Sequence, residues 1–428
     1  MKESRHAARA AAREARKNKS RPDTAYKATS ELRAVIGNVT VTKTGVIAWF
    51  VQEPVSVSFR PSADVEELIR STGAGLAELT GRRVFWRVTT RPYAVRQYAE
   101  ATHADAVRAG SPLPGWVECQ RREQERMLGT SLSEKWVYFG VRVSTSRRYR
   151  EARREVAELA ETLTELTDRV AAYGLDARPA RPVDMEWLLR RSIGLGLPAP
   201  AVDAAVLEDY DEDDLPELWE HARWSCEPWG RSVKVVGKGP SGVDVTRHVV
   251  VLTMGRVGDM HIPGESGGWM QRTDRLTFPV EWMGTTDVVP NEKSITRLRH
   301  QMDLILDQWK HYKEDHQIEP PESLKRQHAM ALQSEDEVSQ GLGGMATRTE
   351  GWYRLAVWGA TEADALANVR AVQKLYGRSV AWVHSFDQYR LAREFIAGEP
   401  VANTAHRRHM SVLALAAAPW VGFGQNFW

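Results

Sequence analysis

The sequence predicts an α+β fold: two β-α-β halves of ferredoxin-like or split β-α-β kind, with a small sheet and a helical hairpin inserted between them. Three observations carry this. A strand-helix-strand pattern beginning at Trp136 recurs from Trp352. Short β-branched runs alternate with helix-like stretches along most of the chain. Between the two halves, Ile295, Leu298, Met302, Ile305, Trp309 and Tyr312 recur at the spacing of a coiled-coil seam.

In order, Val39, Val41 and the run Val46–Val51 flank Lys43-Thr44-Gly45, the pattern of a β-hairpin. A strand is expected at Val55–Phe59, then a helix opened by Pro61 and Ser62 and running to about Leu79. Arg83–Val88 reads as a strand and Ala94–Ala106 as a helix. The first half follows: strand Trp136–Val143, a long helix to Ala172, Tyr173-Gly174 as its C-cap, and a strand at Leu175–Arg178. Gly194–Pro200 is a connector, and Glu208–Glu220 is acidic. Strands at Val233–Val236, Val245–Met254 and Leu276–Trp282 make the expected small sheet. The seam helix is stopped by Pro320-Pro321, and a second helix covers Glu322–Gly341.

The second half repeats the first. Trp136, Val141, Thr145, Arg154, Val156 and Leu159 align without gaps to Trp352, Val357, Thr361, Arg370, Val372 and Leu375, and both units end in Tyr-Gly before a strand. The expected domains are a basic helical or disordered arm at 1–25, an α/β lobe at 26–193, an acidic linker at 194–230, a central lobe with the hairpin at 231–350, and the second half with a tail at 351–428.

Composition narrows the class. The chain has 428 residues, 42% hydrophobic and 27% charged, the balance of a globular protein. Two cysteines, Cys119 and Cys226, supply no disulfide framework. The start of the chain has no apolar signal core, and the apolar stretch Met410–Val421 is too short to span a bilayer, so a cytoplasmic protein is expected. Sixteen tryptophans exceed what a core alone requires and leave rings for a docking surface. In the first 22 residues, Arg5, Arg9, Arg13, Arg16 and Lys17 fall on one side of a helix whose other positions are mainly alanine. Such an arm has no apolar face to insert and would meet anionic lipid or nucleic acid by charge.

The motifs of chemistry are weak. The phosphate-cradling G-x-x-x-x-G-K-Ser/Thr loop does not occur: near Lys238, Ser232 stands for the first glycine and Gly239 for the hydroxyl residue. Gly237–Gly242 matches G-x-G-x-x-G, but a strand follows instead of a helix N-terminus, so it reads as a hairpin turn. Asp209, Asp211, Asp213 and Glu220 have the spacing of a calcium loop, yet Asp214 replaces the turn glycine and Pro216 interrupts it. His311 and His316 are five apart, which puts them on different faces of an α-helix, and no zinc pattern forms. His406 and His409 have no third ligand nearby. No catalytic residue, metal or cofactor site is therefore expected.

Several stretches resemble the amino-terminal region of actinobacterial-type conjugation and type IV secretion motor ATPases of the VirB/TrbE/TraC class. They are Leu32–Thr42, Gly45–Phe50, Ser58–Arg60, Val88–Tyr93, Met185–Pro198, Arg272–Trp282, Gly341–Gly344, Trp352–Gly359 and Ala405–Met410, in this order from Tyr26 to about Ala418. The resemblance implies a docking region that holds the motor at the cytoplasmic face of the inner membrane. It also implies partners among the inner-membrane secretion components and homo-oligomerisation of the full-length protein. The family continues into a RecA-like domain with both Walker motifs, whereas this chain ends at Gly424–Trp428. ATP and magnesium are accordingly expected only with that domain, and this chain is expected not to be an enzyme. The alternative is a nucleic-acid-binding accessory protein of a mobile element, acting through the basic arm.

Overall fold

The computed structural model describes residues 31–416, apart from 53–60, 94, 111–112, 130–132, 146–151, 173, 201, 203–207, 228–229, 240–241, 258–268 and 340–346. The basic arm, with Arg5, Arg9, Arg13, Arg16 and Lys17, lies outside the described residues, as does the strand expected at 55–59.

The expected α+β class is what the chain adopts. Its strands are β1 (Leu32–Ile36), β2 (Val39–Thr42), β3 (Gly45–Gln52), β4 (Arg83–Pro92), β5 (Ser133–Ser144), β6 (Arg178–Pro179), β7 (Asp209–Tyr210), β8 (Ala222–Ser225), β9 (Val233–Lys238), β10 (Asp244–Val257), β11 (Glu281–Val289), β12 (Arg348–Gly359), β13 (Val380–His384) and β14 (Arg408–Ser411). They form one sheet in the order β7-β1-β2-β3-β5-β4-β11-β12-β10-β9-β8. β6, β13 and β14 add to β3, β10 and β12. The strands expected in a separate small sheet are thus neighbours of those in the two halves: β11 pairs with β4 on one side and β12 on the other, both antiparallel.

The order contains a symmetry. β3-β5-β4 and β10-β12-β11 are the same arrangement, and in each the chain passes from the third-placed strand through a helical hairpin to the middle one. The halves meet antiparallel at β4 and β11, where Arg87 faces Met283, Trp86 faces Gly284 and Trp282 faces Val88. An approximate twofold axis through the Arg87–Met283 pair relates them. β5 and β12, which carry the repeat seen in the sequence, occupy equivalent places.

Helices cover both faces, so the central strands are apolar on both sides and read as nearly continuous runs. One face collects Phe50, Trp86, Phe139, Leu252, Trp282 and Leu355. It is covered by α1 (Ser62–Ala77), α5 (Ala160–Ala172), α10 (Glu362–Tyr376) and the short α12 (Val412–Leu415); α4 (Ala152–Glu158) precedes α5. The alternate residues Ile47, Trp49, Tyr138, Val251, Met283 and Ala356 point to the other face. That face is covered by α6 (Pro182–Ile193), α7 (Leu215–Trp219) and α11 (Gln388–Arg393). Two charged hairpins remain: α2 (Val95–Arg108) with α3 (Trp116–Gly129), and α8 (Asn291–Lys310) with α9 (Glu322–Ser339).

Some boundaries moved for identifiable reasons. The strand expected at Leu276–Trp282 begins instead at Glu281, after Pro279, which has no N–H for a ladder. The helix expected to reach Ala172 in one piece is divided at Leu159. Gly174 does take the left-handed conformation expected of the cap, with φ +77°. No helix among the described residues is long and apolar enough to cross a membrane.

Close approach across the twofold makes a test. A Cβ on Gly284 would lie 2.3 Å from Cε2 and Cζ2 of the Trp86 indole. Gly284→Ala should therefore destabilise the chain by about 1–3 kcal/mol in urea unfolding. Combined with Trp86→Leu it should cost less than the sum of the two changes.

Candidate functional site

Charge is buried at the centre of the sheet. On the face covered by α6, the Glu281 carboxylate (β11) accepts from the guanidinium of Arg87 (β4) through one oxygen and of Arg191 (α6) through the other. All three side chains are at most 4% exposed. Arg87 also donates to Ser192 Oγ at 2.5 Å and to the Phe395 carbonyl at 2.6 Å, and Arg191 donates to the Leu197 carbonyl. Burial lowers the Arg87 pKa, and Glu281 opposes that shift while Arg191 adds to it. One carboxylate thus holds two cations, while the Ser192 hydroxyl and the Phe395 and Leu197 carbonyls take further donors. A second buried pair, Arg354–Glu394 at 3.0 Å, ties the neighbouring strand β12 to the C-terminal end of α11.

At the end of α6, Asp184 serves three arginines. It accepts from Arg178 at 2.6 Å and from Arg181 at 3.1 Å, and stands 3.5 Å from Arg91. Burial alone would raise its pKa, but the donors from Arg178 and Arg181 outweigh it and hold the carboxyl below its ordinary value. Arg91 is in turn clasped between the rings of Trp136 and Trp187, 4.2 and 4.3 Å from their centroids. The platform is held by these contacts as well as by its apolar layers.

The hairpins are built differently. They follow β4 and β11, which run antiparallel side by side, so they leave from opposite ends of the sheet. The seam residues Ile295, Leu298, Met302, Ile305, Trp309 and Tyr312 are all half-buried, as expected of a helix with a single partner. Trp309 packs on His328 of α9 at 5.1 Å between ring centroids. At the base of this hairpin, Glu350 is 4% exposed and is shared by Arg297 from α8 and by Arg407 at 2.8 Å. His409 lies 3.4 Å from Glu350, and burial and then Arg407, Arg297 and Arg408 lower its pKa.

Away from their bases the hairpins expose apolar side chains. Eleven large apolar residues are exposed among the described residues, and nine belong to these two excursions: Tyr98, Val107, Leu113, Val117 and Leu128 in the first, Leu304, Leu306, Ile318 and Leu332 in the second. Ion pairs such as Arg121–Glu118 and Arg126–Glu123 surround them on α3. Exposed apolar residues are thus gathered on the two excursions, among charged neighbours. The helices expected at Ala94–Ala106 and Glu322–Gly341 and the seam helix correspond to α2, α9 and α8; α3 gives no such pattern, because most of its residues are polar.

A cleft of about 950 Å³ opens where the first hairpin returns to the sheet. Trp358, Phe278, Leu197 and Met127 line it, with Arg191, Arg247 and Lys135. Two of these cations are committed internally, Arg191 to Glu281 and Lys135 to Asp274. The cleft therefore offers chiefly apolar walls.

The weak motifs resolve into local structure. In the G-x-G-x-x-G stretch, of which 240–241 lie outside the described residues, Gly237 faces Val245 and Lys238 faces Asp244 in the antiparallel β9–β10 pair, and no helix follows. Asp211 accepts from the backbone N–H of Asp213 and Asp214, an acidic turn leading into α7. His311 and His316, expected on different faces, come within 4.6 Å between ring centroids, because the helix widens into a π turn at His311–Asp315. No protein-family model matches the sequence, and no curated protein matches it.

The central cluster gives the next test. Glu281→Gln leaves two buried guanidinium charges facing a neutral amide and should cost about 3–5 kcal/mol in urea unfolding. Replacing Arg87, Glu281 and Arg191 together by methionine should recover most of that loss. A fully stable Glu281→Gln protein would show that the cluster does not hold the sheet.

Proposed function

We propose that this chain is a non-catalytic docking and scaffold region of a type IV secretion motor ATPase of conjugative DNA transfer, attaching the motor to the inner-membrane complex. The observation that carries the docking role is the gathering of exposed apolar side chains on two charged hairpins at opposite ends of one sheet. A rigid platform with two such arms can grip two neighbours, or two parts of one, without any chemistry of its own. The assignment to secretion rests on the ordered resemblance from Leu32 to Met410. In this reading ATP and magnesium are bound by the motor domain, oligomerisation occurs in the full-length protein, and the chain lies at the cytoplasmic face of the inner membrane.

Co-purification with the inner-membrane secretion components tests it. The pairs Val117→Glu/Leu128→Glu and Leu304→Glu/Leu332→Glu should each weaken association at least about tenfold, or 1.4 kcal/mol, with the melting temperature unchanged. If both pairs bind as the parent does, the hairpins are not the docking surface. Saturable binding of a fluorescent ATP analogue by this chain would count against a non-catalytic role.

A second reading, a nucleic-acid-binding accessory protein, is favoured by the charge of the arm. Replacing Arg5, Arg9, Arg13, Arg16 and Lys17 by alanine separates the possibilities. In the docking reading, this change should reduce binding to anionic vesicles and leave DNA affinity as weak as before. A steep, salt-dependent loss of DNA binding would favour the second reading instead.

A further inference from the structure

We propose that His311 and His316, at the tip of the α8–α9 hairpin, form a two-imidazole site for a late first-row divalent cation such as Zn²⁺. In an α-helix, residues five apart point about 140° away from each other. Here the last turn is π-helical over His311–Asp315, and its wider i→i+5 turn brings the two side chains to the same side. Their Nε2 atoms are 3.2 Å apart, with the rings nearly perpendicular at 79°. Two Zn–N bonds of about 2.0–2.1 Å meeting at the tetrahedral angle require a separation of about 3.3–3.4 Å. At 3.2 Å the nitrogens stand just inside that spacing.

Tautomer and support agree with it. His311 Nδ1 is 2.7 Å from Asp315 Oδ2, so the carboxylate takes the Nδ1–H hydrogen bond. The neutral ring then keeps its lone pair on Nε2, aimed at His316, in the carboxylate–histidine–metal arrangement. Without an ion, His316 donates its Nε2–H to that lone pair. When the ion binds, His316 turns to the Nδ1–H tautomer and both Nε2 lone pairs point at the metal. The chain is also folded back just beyond: Gln317 takes φ +49°, and the Ile318 N–H donates to the Tyr312 carbonyl at 3.0 Å. Among the described residues no group of three or more His, Cys, Asp or Glu side chains could hold a metal. The site thus supplies two ligands, and water fills the remaining positions of the ion.

Isothermal titration of the full chain with ZnCl₂ tests the site, alongside His316→Ala, Asp315→Asn and His300→Ala, an exposed histidine on the same helix. Zn²⁺ stoichiometry should fall by one equivalent in His316→Ala and stay unchanged in His300→Ala. Asp315→Asn should weaken that equivalent by about tenfold or more. Cu²⁺ should bind the parent more tightly than Zn²⁺. His311 and Asp315 are exposed, so unchanged circular dichroism will show that each variant is folded. Parent-like Zn²⁺ binding by folded His316→Ala, or no Zn²⁺ binding by the parent, would overturn the proposal.

Discussion

Glu281 is the constraint around which the rest is arranged. A carboxylate that is fully buried costs several kcal/mol to desolvate, and only close cations and donors offset this. Arg87 comes from the strand alongside, while Arg191 comes from a helix on the covering layer. The carboxylate therefore fixes the pairing of the two central strands and the seat of α6 at once. Apolar packing tolerates many slightly shifted arrangements of a helix on a sheet; a carboxylate between two guanidinium groups tolerates few. The same side chains break the internal symmetry, since Arg87 on the axis faces Met283.

The two faces of the sheet are consequently of different character. Opposite the charged face, Trp269, Trp282, Trp382, Tyr353 and Tyr376 meet in a chain of edge-on contacts 5.4–5.9 Å between centroids. Such contacts fill volume and orient rings without demanding charge compensation. Burial raises the Tyr353 hydroxyl to about 12, so it stays neutral across the physiological range. Many of the sixteen tryptophans belong to this layer and to the sheet around it, whereas the apolar residues exposed on the hairpins are mainly leucine and valine, with Tyr98 and Ile318.

What the sequence disclosed follows from which signals are local. Val46–Val51 and Val249–Leu252 announce strands because both faces are buried, and the seam from Ile295 to Tyr312 announces a helix with one partner. The repeat at Trp136 and Trp352 located equivalent strands. The union of all strands in one sheet was hidden, because the pairing of β4 with β11 is made by residues about two hundred positions apart. Arg87, Arg191 and Glu281 were hidden too, since a charged residue in a strand or helix normally marks the solvent side. The approach of His311 and His316 is invisible to an α-helical period, because the backbone takes a π turn there.

The central pairing also sets the order in which the protein can be made. Arg83 and Asp287, which face each other at 2.6 Å, are separated by 204 positions. At a synthesis rate of about 5–20 residues per second, β4 waits on the order of ten seconds or more for β11 to emerge. A first half folded within that interval would present β4 as an open edge, with Trp86 on one side and Arg87, still without Glu281, on the other. Open edges invite pairing with other chains, and a lone guanidinium on the nascent sheet discourages it. The charge that anchors the finished core would thus serve first as a guard for the unfinished one.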